Sequence, residues 1–283
     1  MTTRATPLLL LHTWGGDAGT WAPALRHLGA AGRHSEAPDL PGHGARAAEP
    51  FTVDGAVTAA LSAAGAAAGA TDGAAPPYED ETGSETRDPD KGAGAEGGET
   101  YADGARPVDV VGSGLGALVA LTLAQRHPGR VRSLTLVGFP PAEGPEAARR
   151  PADTLAALER DGTDLFARNY VDSTLLSADP GHRELLRRAM AATRPEVLLG
   201  SLRATLDWRS HARAAPLAVP CLVLRGARDH RVAAPAADAL AEQLGGVSAV
   251  VPGAGHVAYL DEPAAFAAAL TDFHGGLRTA PAD

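Results

Sequence analysis

Short apolar runs alternate along the chain with longer stretches in which apolar positions recur every three or four residues. The runs "PLLLL" at 7–11, "PVDVV" at 107–111, "RSLTLV" at 132–137, "VPCLVL" at 219–224 and "VSAVV" at 247–251 are five or six residues long. Near-continuous apolar character over so few residues predicts strands covered on both faces of a sheet. A further strand is expected at 33–37. Helical spacing occupies 18–30, 52–64, 115–127, 235–244 and 262–273, and Pro128–Gly129 close the third of these helices. Strand followed by helix, repeated, predicts an α/β fold: a mainly parallel sheet with helices on both faces. The helix at 115–127 is apolar almost all round, so it should lie buried against the sheet.

Two segments break this alternation. Residues 139–215 show no strand pattern and read as several amphipathic helices, among them "DTLAALERDGTDLFARNYV", "GHRELLRRAM" and "PEVLLGSLRATLDW". A helical excursion leaving the C-terminal end of a sheet strand is placed to cap the crevice where open α/β sheets bind ligands, so 139–215 is expected to be a helical lid. Residues 65–105 hold nine glycines and no Val, Ile, Leu, Met, Phe or Trp. That composition predicts an acidic disordered insertion unable to form a core. The core itself is then assembled from 1–64, 106–138 and 216–283.

Composition narrows the class. The insertion carries ten Asp or Glu against Arg87 and Lys91, which accounts for eight of the nine net negative charges. The remainder is near neutral, and no basic surface for nucleic acid is expected. A single cysteine, Cys221, lies inside an apolar run, as a small core side chain does, so no disulfide forms within the chain. "MTTRATPLLLLHTW" has only four consecutive leucines, too few for a signal segment, and no run reaches the roughly 18 apolar residues of a membrane span. A cytoplasmic location is the expectation.

Four separated pieces carry the candidate chemistry, in chain order: "LLLLHTWGGDAGTW" after the first strand, "APDLPGHGAR" at 37–46, "VDVVGSGLGALVAL" at 108–121, and the pair "VPCLVLRGARDHRVAAP" and "VVPGAGHVAYLDEPAAF". Together they resemble an α/β-hydrolase over nearly the whole chain apart from the acidic insertion. The family's G-x-S-x-G corner turns a strand sharply into a helix and displays a nucleophile there. Centring on Ser113 puts Val111 and Leu115 where the backbones must approach; centring on Gly114 puts Gly112 and Gly116 there. Gly114 is therefore expected at the elbow, in the nucleophile's place, with Ser113 one position before it. The resemblance further implies Asp229 and His256 as the family's acid and histidine, 27 residues apart, and Trp14 and Leu115 as the oxyanion N–H donors. This chain has Thr13 where the family carries the glycine of its HG pair. Asp39 and His43 lack a third ligand at a supporting spacing and are expected in a structural turn; no metal or other cofactor is expected.

Loss of the serine from such a triad costs on the order of 10⁶ in turnover, which disfavours an ordinary acyl-enzyme esterase. A histidine–aspartate base beside an anion-stabilising pocket remains. The implied activity is general-base chemistry on a small, apolar organic molecule: elimination, cyclisation, rearrangement or water-mediated hydrolysis. Lid residues Phe166, Tyr170 and Trp208 suggest the apolar, aromatic character of the pocket. Two other readings stay open, a ligand-binding protein without turnover and an esterase-like hydrolase using Ser113. No nucleic-acid or membrane partner is expected.

Overall fold

In the first strand, β1 (Leu8–Leu11), four leucines are all buried, because successive side chains face opposite layers. Leu9 and Leu11 join one apolar cluster and Leu8 and Leu10 another. This is a computed structural model of the chain, and it describes residues 6–30, 33–69, 106–141, 143–208 and 214–279. The other strands are β2 (Ser35–Glu36), β3 (Val108–Ser113), β4 (Val131–Val137), β5 (Cys221–Gly226) and β6 (Val247–Val251). Among the described residues they form one six-stranded sheet, order β2-β1-β3-β4-β5-β6, with every pairing parallel.

Helices cover both faces. On one lie α2 (Val53–Gly69), α3 (Leu115–Arg126) and α7 (Ala234–Leu244), whose apolar residues belong to the cluster of Leu9 and Leu11. On the other lie α1 (Ala22–Ala30) and α9 (Pro263–Thr279), which supply Ala24, Leu28, Phe266 and Leu270 to the second cluster. The short α8 (Ala258–Asp261) precedes α9. Every residue of α3 from Leu115 to Ala124 is buried, as its all-round apolar pattern predicts. Each fully buried leucine there stabilises the packed helix by about 1.5–3 kcal/mol relative to an exposed one.

The excursion between β4 and β5 carries α4 (Pro145–Thr174), broken at Gly162, then α5 (Pro180–Ala192) and α6 (Pro195–Leu206). One boundary needs correction. Helix α2 continues to Gly69, five residues into the stretch assigned to the acidic insertion, and Ala67 and Ala68 are packed in the core. Alanine has the highest helix propensity and a methyl group small enough to bury against a neighbouring helix, so a segment without large apolar residues still contributed to the core. The rest of that insertion, 70–105, lies outside the described residues.

The chain leaves β1 toward β2 on one side and returns to β3 on the other. Strand order therefore reverses between β1 and β3, and in open parallel sheets that reversal opens a crevice at the carboxyl ends of the strands. The loops following β1 and β3 meet there.

Candidate active site

Residues 112–116 build the floor. Gly112 and Gly116 are obligatory because the backbones touch: a Cβ at Gly112 would fall 2.1 Å from the Gly116 carbonyl oxygen, and one at Gly116 would fall 2.2 Å from that of Leu11. Between them Gly114 caps α3 at φ 51°, ψ −107°, a left-handed conformation that glycine adopts without strain. The Gly114 N–H donates to Val137 and that of Gly116 to His12, locking the corner to the adjoining strand ends. Ser113 is the buried last residue of β3 and does not line the cavity above the corner, whereas Gly114 and Leu115 do.

The loop after β1 forms one wall. A side chain at Gly114 would begin 2.9 Å from Thr13 Oγ1 and 3.9 Å from the Trp14 backbone nitrogen. Neither the Trp14 nor the Leu115 N–H has a backbone acceptor among the described residues. Trp14 Nε1 donates to the Leu198 carbonyl at 2.8 Å, which ties this loop to α6, and its ring meets Tyr170 edge-on at 5.1 Å. His12, just before it, is fully buried. Its Nδ1–H donates to the Thr13 carbonyl at 3.0 Å and its Nε2 accepts the Leu40 N–H at 3.1 Å, which defines a neutral ring. Burial, then the nearby His43, lower its pKa to about 3.

Thr13 was legible only as a departure from the family pattern. Its hydroxyl occupies part of the room that a side chain at 114 would need, so the absence of a hydroxymethyl group there opens less space than the sequence suggests.

His256 follows β6 and Asp229 follows β5. His256 Nδ1 lies 3.1 Å from Asp229 Oδ2, while Asp229 Oδ1 accepts the N–H groups of Arg231 at 2.8 Å and Val232 at 3.1 Å. Burial acts to raise the Asp229 carboxyl, but the hydrogen bond and charge of His256 and the two backbone donors outweigh it, so its pKa is lowered. The carboxylate is completely buried and the imidazole 15% exposed, so the ring is the member of the pair that reaches the cavity. A second carboxylate, which sequence reasoning missed, holds the loop: Asp261 accepts from Gly255 at 2.8 Å and, on its other oxygen, from Leu176 at 2.6 Å and Ser177 at 2.9 Å. It joins the backbone beside His256 to the end of α4. No local sequence signal marks it, because its partners come from distant segments.

Above the corner lies a chamber of about 40 Å³, lined by Thr13, Trp14, Gly114, Leu115 and His256 among others. Trp14, Arg150, Tyr170, Leu202 and Arg231 are shared with a wider cleft of about 230 Å³, which Phe166 also lines. Trp208, expected in the pocket, instead packs edge-on against Phe139 at 5.2 Å and lines neither space. Asp39 serves the structural turn: its two oxygens accept the N–H groups of Ala18 and Ala45, both at 2.7 Å. Among the described residues no group of three or more His, Cys, Asp or Glu is gathered as for a metal ion, and no helix is long and apolar enough to cross a membrane.

The sequence model of the "Alpha/beta hydrolase family" matches residues 8–269. The chain belongs to the alpha/beta hydrolase family. Within that family it is 30% identical over 177 residues to the pimeloyl-[acyl-carrier protein] methyl ester esterase of Chromobacterium violaceum, covering 59% of this chain and 69% of the relative. It is 32% identical over 181 residues to the 2-hydroxymuconate semialdehyde hydrolase of Pseudomonas sp. strain CF600, covering 58% of this chain and 61% of the relative. A thermophilic esterase from Thermogutta terrifontis shares the hydrolase fold at a TM-score of 0.69 and 19% identity, over 98% of this chain and 92% of the esterase.

Proposed function

We propose that this chain is an alpha/beta hydrolase-family enzyme that works on a small organic molecule through His256 and Asp229, without a serine acyl-enzyme. Asp229 holds the Nδ1–H of the imidazole, which leaves the Nε2 lone pair as the proton acceptor. Gly114 stands where the family's nucleophile would be, and the Leu115 and Trp14 N–H groups, at the positive end of α3, receive the developing oxyanion. The observation that carries this reading is the His256–Asp229 contact of 3.1 Å on a ring that faces the same chamber as Gly114 and both N–H groups.

The chamber has room for a water molecule or for one reacting group. In hydrolysis, His256 takes a proton from that water as its oxygen attacks the carbonyl carbon. Collapse of the tetrahedral species expels the leaving group, which takes the proton back. Without water, the same base removes a proton from the substrate itself, giving elimination, cyclisation or rearrangement. Both relatives above are named as hydrolytic enzymes, which makes hydrolysis the first reaction to assay. The body of the substrate lies in the cleft under 139–215, acting as a lid, against Trp14, Phe166 and Tyr170. The cytoplasm suits a chain whose one cysteine stays a buried thiol.

Turnover of a panel of small esters and lactones by wild type and His256→Ala tests the proposal. We expect wild-type turnover that is lost in the variant. An unchanged kcat in His256→Ala rules the mechanism out, and binding without conversion across the panel favours a ligand-binding protein.

A further inference from the structure

Two arginines reach the cavity from different elements. Arg150 comes from α4 in the excursion, and Arg231 from the loop that carries Asp229; both line the chamber and the cleft beyond it. Arg231 Nη2 donates to Thr174 Oγ1 at 2.6 Å, and its guanidinium carbon lies 5.1 Å from the centre of the Tyr170 ring. Its Nε is buried with no hydrogen-bond partner. Arg150 makes no ion pair or hydrogen bond among the described residues, and burial, followed by the charge of Arg231, lowers its pKa. Asp153, the acidic residue lining the cleft, is exposed and bridges neither guanidinium.

Two like charges brought together in a partly buried cleft, one with a donor left unpaired, are a costly arrangement unless an anion joins them. A carboxylate is the matching group: planar, with two oxygens able to accept from two guanidinium forks. We propose that Arg150 and Arg231 form a carboxylate-binding subsite, so that the substrate is an organic acid whose apolar body spans from this pair to the reacting group above Gly114. This rests on the reading that the cavity over Gly114 receives the substrate. It makes the cleft amphipathic: aromatic along Trp14, Phe166 and Tyr170, and cationic at the end formed by the arginines.

The test is calorimetric titration of the full chain with 4-phenylbutanoate and with its uncharged analogue 4-phenylbutanamide. We expect the carboxylate to bind at least about tenfold more tightly, a preference that shrinks as salt is raised. The preference should vanish in Arg150→Met and in Arg231→Met, and survive in Arg150→Lys. Melting curves establish that each variant is folded; Arg150, lacking a protein partner, should tolerate replacement. Equal binding of the two probes by wild type, no saturable binding of the carboxylate, or a preference that persists in Arg150→Met would overturn the assignment. A retained preference together with unchanged turnover in His256→Ala would instead remove only the general-base reading.

Discussion

The Thr13 hydroxyl oxygen lies 2.9 Å from the point at which a side chain on Gly114 would begin. The Thr13 side chain thus stands in part of the space that a side chain at position 114 would occupy.

A serine placed at 114 alone should accordingly give a poor nucleophile. Gly114→Ser must hold a side chain at positive φ, at a cost of about 1 kcal/mol or more, and press it against Thr13. Pairing it with Thr13→Gly clears the contact. We expect a serine-reactive phosphonate to label the double variant at least about tenfold faster than Gly114→Ser, as read by intact mass. Equal labelling rates would show that Thr13 does not obstruct the position. Wild type and Ser113→Ala should both remain unlabelled.

Asp229→Asn keeps the shape of the orienting group and removes its charge. Turnover should fall by about 10²–10⁴, and the melting temperature at neutral pH should fall with it, because the ionised carboxylate stabilises the fold there. The folded pKa of Asp229 is below its ordinary value of 3.8. Its contribution to stability is thus fully present above that value and is lost as pH falls through the lower folded one. Acid titration of wild type should show a loss of stability in that window that Asp229→Asn lacks; coincident curves there would refute the assigned shift.

His12 supplies a second pH dependence of different origin. It stays neutral in the fold down to about pH 3, while in the unfolded chain it takes up a proton near 6.5. The unfolded state therefore binds the extra proton, and stability should decline as pH drops below 6.5, by about 1.4 kcal/mol per pH unit and about 2 kcal/mol by pH 5. His43, lowered chiefly by its own burial, adds in the same direction. Chemical denaturation between pH 5 and 8 should show that slope, reduced by roughly one proton in His12→Gln; a flat profile in wild type would contradict it.

Asp109 should matter for stability and not for chemistry. It is fully buried near the amino end of β3, opposite the corner, and is held by Arg33, by Arg132 Nε at 2.8 Å and by the Ser133 hydroxyl. Asp109→Ala removes the buried acceptor shared by Arg33, Arg132 and Ser133 and should cost about 3–5 kcal/mol. Turnover per folded molecule should be unchanged. A loss of less than about 1 kcal/mol by denaturant titration would mean that the cluster is solvated.

What could be read along the chain was what is local or repetitive. Six apolar or extended runs and the intervening helical spacings determined the parallel sheet. The i−2 and i+2 glycines around Gly114 determined the corner's register, because backbone contacts of 2.1 and 2.2 Å at Gly112 and Gly116 exclude any side chain. The loops bearing Asp229 and His256 were picked out through their resemblance to the family's strand endings, and the sheet brings those two strand ends side by side.

Only the tertiary structure decided the rest, since it depends on which distant atoms meet. The burial of Ala67 and Ala68 required a partner surface that residue hydrophobicity does not announce. Asp261 acquired its role from Gly255, Leu176 and Ser177 together, and Trp208 turned toward Phe139 rather than the pocket. The pairing of Arg150 with Arg231, and of Thr13 with the space over Gly114, arises from strands and helices far apart in sequence. Pattern along a chain encodes which face of an element is apolar, but the electrostatics and volume of a cavity are properties of its walls, and these exist only once the elements have packed.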